Sequence, residues 1–73
     1  MKKVIIVEGM DNLPMGSAVS RILEGISGVD KVALNLEEES IVVEYGRGVF
    51  TEEELCAAIN EEGFEVLEIF DEG

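Results

Sequence analysis

The sequence predicts an α+β sandwich, a four-stranded antiparallel sheet with two helices on one of its faces. Three observations predict it. Short β-branched runs alternate with two segments of helical apolar spacing, glycines and acidic turns separate them, and the second half of the chain echoes the first.

The first strand spans Lys3 to Glu8, apolar between its ends and closed by Gly9. Ile5 and Val7 lie on one face of it, Val4 and Ile6 on the other. Met15, Ala18, Val19, Ile22, Leu23 and Ile26 then recur at helical spacing, with Ser17, Ser20, Arg21 and Glu24 opposite. Asn12 suits the N-cap, and Pro14 fits the first turn, where its missing N–H has no helical partner. The expected end of this helix is near Gly28.

Val29, Val32, Leu34 and Leu36 mark a second strand, the turn Glu37-Glu38-Glu39 follows, and Ser40 to Tyr45 is a third strand, completing a hairpin. Gly46-Arg47-Gly48 breaks the pattern. Thr51 and Glu54 match a capping box, Phe50 and Leu55 its hydrophobic staple, and Leu55, Cys56, Ala58 and Ile59 form the inward side of the second helix. Gly63 closes that helix, and Phe64 to Phe70 is the fourth strand. Two right-handed crossovers interleaved in this way give the ferredoxin-like βαββαβ sandwich. Its open face is expected to carry Val4, Ile6 and Val42, more apolar than a half-buried sheet requires, which suits a homodimer or a neighbouring domain.

Seventy-three residues are expected to form a single domain over 1–73 with one small core and no deep catalytic cleft. Seventeen acidic residues against five basic ones give a net charge of −12, which argues against nucleic acid and anionic membranes and favours cations or a basic protein surface. The longest apolar run, Val4 to Val7, is too short to cross a bilayer, and no secretory segment precedes it, so a soluble cytoplasmic protein is expected. Histidine is absent and Cys56 is the lone cysteine. With no nucleophile–base pair and no converging cations, no enzyme activity is expected. Acylphosphatases share the topology, but they hold phosphate with an arginine in the first loop, where this chain has Asp11.

The series Val7-Glu8-Gly9-Met10, Gly28-Val29-Asp30-Lys31-Val32-Ala33-Leu34-Asn35-Leu36, Val43-Glu44-Tyr45, Leu55-Cys56-Ala57-Ala58-Ile59 and Gly63-Phe64 resembles the heavy-metal-associated domain. That family includes copper chaperones, mercury-binding proteins and the N-terminal modules of metal-transporting ATPases, and the resemblance covers almost the whole chain. It implies a metal-binding or metal-trafficking module, with a metal-transporting ATPase as partner. The family's chemistry needs two thiolates three positions apart at the start of the first helix, where soft ligands take Cu(I) and related ions.

Those two positions here are Asn12 and Met15, so both thiolates are replaced. Asn12 offers a neutral oxygen, Met15 a thioether that suits Cu(I) or another soft metal ion, and Asp11 an additional carboxylate. Met10 matches a family methionine that packs inward, and Phe64 an aromatic near the metal loop. Cys56 is expected to be a buried, inert thiol. Two function classes follow: a metal module of weak or altered affinity, and a scaffold that lost its metal and works through protein contacts.

Overall fold

The computed structural model describes residues 1–46 and 51–72. Its elements in chain order are β1 (Lys2–Glu8), α1 (Leu13–Glu24), β2 (Val29–Asn35), β3 (Ser40–Tyr45), α2 (Glu52–Glu61) and β4 (Glu65–Asp71). The strands make one antiparallel sheet in the order β2-β3-β1-β4, the ferredoxin-like arrangement. Among the described residues no helix is long and apolar enough to cross a membrane.

Alternation along the central strands decides which side chains form the core. Ile5 and Val7 of β1 and Ile41 and Val43 of β3 are fully buried, and so are Val19 and Leu23 of α1 and Leu55 and Ile59 of α2. Each such side chain contributes about 1.5–3 kcal/mol by leaving water. Ile26, Val29, Val32, Leu34, Leu36 and Tyr45 pack against this cluster from its edge.

Several boundaries differ from the sequence expectation, each for a local reason. α1 stops at Glu24, because Gly25 caps it with its N–H on the carbonyls of Arg21 and Leu23. Ile26 keeps its apolar contact from a turn instead, and Gly28 at φ 99° turns the chain into β2. β2 carries an irregularity between Val29 and Lys31 and ends at Asn35. There the Asn35 side chain accepts from the Glu38 N–H at 3.3 Å, an Asx-type turn that leaves Leu36 outside the strand. Phe64 likewise precedes β4 and reaches the core from the loop. Cys56 is half-buried, because it sits beside the inward stripe of α2 defined by Leu55 and Ile59. Thr51 caps α2 as expected, accepting from the Glu54 N–H at 3.2 Å, whereas Phe50 of the expected staple lies outside the described residues.

The strand register orders the face away from the helices into rows. Ala33 pairs with Val42, Val42 with Val4, and Val4 with Phe70, an apolar row across all four strands. Val4 is only 8% exposed although no helix covers it, whereas Phe70 at the sheet edge is 42% exposed. On the helix side, the Lys3 ammonium reaches Glu52 at 2.8 Å and Asp71 at 2.5 Å and lies 5.9 Å from the centre of the Tyr45 ring. Hydrogen bonds to Asp71 and Glu52 hold its pKa above the usual lysine range.

Candidate functional site

The β1–α1 loop is held from both sides before any ligand is considered. Gly9, at φ 83°, makes the turn that a side chain would strain, and its N–H donates to Glu39 Oε1 at 3.1 Å. Met10 then drops into the core and is fully buried, with its N–H on the Val7 carbonyl at 3.4 Å. Asn12 has the extended backbone of an N-cap, and its Oδ1 accepts from the Met15 N–H at 3.1 Å. Its Nδ2 donates to Asp11 Oδ1 at 3.4 Å, and its backbone carbonyl accepts from the Gly16 N–H at 2.9 Å.

This geometry keeps Asp11, Asn12 and Met15 together at the surface and sets Met10 and Phe64 toward the core. Met15 stands in the first turn of α1 and is 38% exposed, outside the buried core. Asp11 and Asn12 are exposed beside it. Met10 is withdrawn among apolar side chains, and Phe64 packs against the same core. The loop therefore offers one thioether, one carboxylate and one amide oxygen already engaged in capping. That donor set contains no thiolate and does not fit a tightly held soft ion. Among the described residues no three His, Cys, Asp or Glu side chains converge as a metal cluster.

Sequence reasoning missed two residues that shape this site. Glu39 looked like one of three turn glutamates, yet it bridges the hairpin to Gly9; its φ of 51° was the feature a sequence could not display. Gly16 has no place in the apolar pattern of the helix, but it is buried, and a Cβ there would come within 2.6 Å of Leu34 and 2.8 Å of Leu36. It lets the first turn of α1 lie close against the hairpin. Leu13, the first residue of α1, is 62% exposed.

The acidic surface reaches the loop as well. Glu8 pairs with Glu65 across the β1–β4 edge. A hydrogen bond between the two carboxyls, and repulsion from Glu65 and Glu39, raise the Glu8 pKa above the usual glutamate range.

No family model matches the chain. Known proteins do: the copper chaperone CopZ of Staphylococcus epidermidis is 37% identical over 65 residues, 89% of this chain and 96% of that protein. The chain belongs to the heavy-metal-associated family. Solved structures of the family agree. A CopZ metallochaperone superposes with a TM-score of 0.85 at 30% identity, covering 92% of this chain and all of that one. The copper binding domain of HMA7, a P-type ATPase, gives 0.84 at 28% identity, covering 97% and 96%. Within this shared heavy-metal-associated fold, the start of α1 carries Asn12 and Met15 and no cysteine.

Proposed function

We propose that the chain is a metal-binding or chaperone-like module of the heavy-metal-associated type with a degenerate loop, weak or altered in its affinity for a soft cargo ion such as Cu(I). The observation that carries this reading is Met15: a soft donor, partly exposed, at a family ligand position in the first turn of α1. Asp11 is the nearest additional donor by sequence, and Asn12 contributes by capping the turn that presents Met15. The presence of such a domain in the P-type ATPase HMA7 supports a metal-transporting ATPase as the partner, and the net charge of −12 supports a partner with a basic surface. We place the protein in the cytoplasm, as one domain over 1–73, without enzyme activity and without nucleic-acid or membrane partners.

One observation favours a second reading. The Asn12 oxygen is already engaged by the Met15 N–H and no thiolate is present, which suits a scaffold that works by protein contact alone. An anaerobic Cu(I) titration followed by amide chemical shifts separates the two. Saturable shifts confined to residues 9–17 and the surroundings of Phe64, lost in Met15→Ala, establish the thioether site. Diffuse, salt-sensitive shifts near the glutamates sink the metal reading and leave the second. The Asn12→Cys, Met15→Cys double variant is the positive control, because it places two thiolates on the same backbone.

A further inference from the structure

We propose that the open sheet face is a self-complementary docking surface on which a second copy of this chain packs sheet against sheet as a two-fold dimer. The apolar row Ala33, Val42, Val4, Phe70 forms its centre. Beside it runs a charged row in which Lys31 pairs with Glu44 and Glu44 with Lys2. Glu72 continues this row past the end of β4, where its N–H donates to the Lys2 carbonyl at 3.0 Å. Pleat alternation places these residues opposite the helices, since Lys3 and Tyr45 beside them lie on the helix side.

Across the four strands the row therefore reads positive, negative, positive, negative. A two-fold axis parallel to the strands, between β3 and β1, reverses that order in the second copy. Lys31 of each copy then opposes Glu72 of the other, and Glu44 opposes Lys2, so every facing pair is of opposite sign. The same operation sets small Ala33 against large Phe70, and Val42 against Val4, which matches volumes across the interface. A two-fold contact of this kind requires such self-complementarity.

The charge balance is confined to this row. The glutamates of α2 lie on the far side of each copy, whereas the charged row is balanced. Glu8, Glu65 and Glu68 at the opposite end of the face resist association and weaken the contact. Four strands at about 4.8 Å spacing and about six residues of length give roughly 400 Å² per copy, half of a standard interface. The dimer is consequently weak and reversible.

The test needs no metal, so its failure is separate from that of the Cu(I) titration. Sedimentation velocity and ¹⁵N relaxation of the metal-free chain, from about 0.05 to 1 mM, span the range of a sub-standard interface. The apparent mass and tumbling time are expected to rise toward twice the monomer values. Lys2→Glu and Glu44→Lys each place like charges face to face and remain monomeric alone, with folding checked by circular dichroism. Mixed one to one they restore opposite signs at every position and associate. Phe70→Glu, at an exposed position, abolishes association in every mixture. A wild-type chain that stays monomeric, single variants that associate like wild type, or a mixture that stays monomeric would each overturn the proposal. The first of these outcomes leaves the face to a different protein.

Discussion

Asn12 occupies a proposed ligand position, yet its side chain is engaged as the cap of α1, and replacing it separates the two roles. Asn12→Ala removes the acceptor that satisfies the Met15 N–H at 3.1 Å, and no acidic residue in the first turn of α1 compensates. Loss of an N-cap costs about 0.5–2 kcal/mol, typically about 1. Asn12 is exposed, so water partly replaces the lost partner and a value near ~1 kcal/mol is expected. In a domain of this size that lowers the melting temperature by about 4–8 °C. Urea titration followed by far-ultraviolet circular dichroism, with the melting temperature alongside, reads the loss directly. Asn12→Ser should restore most of the stability, because a hydroxyl caps about as well as an amide. Asn12→Ala as stable as wild type, or Asn12→Ser as unstable as Asn12→Ala, would refute the capping argument. If the Cu(I)-induced shifts also collapsed in a fully stable Asn12→Ala, Asn12 would be a ligand and not a cap.

Met10 belongs to the core and not to the metal, so Met10→Ala should cost about 2–5 kcal/mol by urea titration, while Met10→Leu should cost less than about 1.5. Lys3→Met keeps the stem, 12% exposed in the native side chain, but removes the ammonium between Glu52 and Asp71; both carboxylates are well exposed, so a loss of about 1 kcal/mol is expected, shrinking at high salt. Because the folded-state pKa of Glu8 is raised, its proton binds more tightly to the folded chain, and stability should fall as pH rises from the ordinary glutamate range through the folded pKa. Glu65→Gln should flatten that slope in pH-dependent thermal melts, and an unchanged slope would remove the pair as its cause.

The fold was legible because the strongest signals in this chain are periodic. Ile5, Val7, Ile41 and Val43 alternate with residues of the open face, and Leu55 and Ile59 recur four apart, so the inward faces could be assigned without long-range information. Boundaries were less legible where apolar periodicity continued beyond the hydrogen bonding. Ile26 and Leu36 satisfy the pattern of the preceding element and still bury surface, but Gly25 and the Asn35 side chain end the helix and the strand before them. The location of the loop, its N-cap and the buried Met10 could be inferred from local residue types and the family resemblance. The contacts that hold it could not, since Glu39 and Gly9 are 30 positions apart and the fit of Gly16 under Leu34 and Leu36 exists only after the hairpin has folded over α1.

Gly16 has a wider consequence for how this scaffold tolerates change. The β1–α1 loop is fastened by a buried methionine, a cap, a carboxylate across the hairpin and the seat beneath two leucines, none of which requires a bound ion. The loop is held by the chain's own contacts. Position 15, exposed in the first turn of α1, can therefore change its side chain with little effect on the fold, whereas position 12 can change only among residues that still cap the helix. At position 16 an added methyl group meets the ends of two leucine side chains at once, so a substitution there must move Leu34 and Leu36.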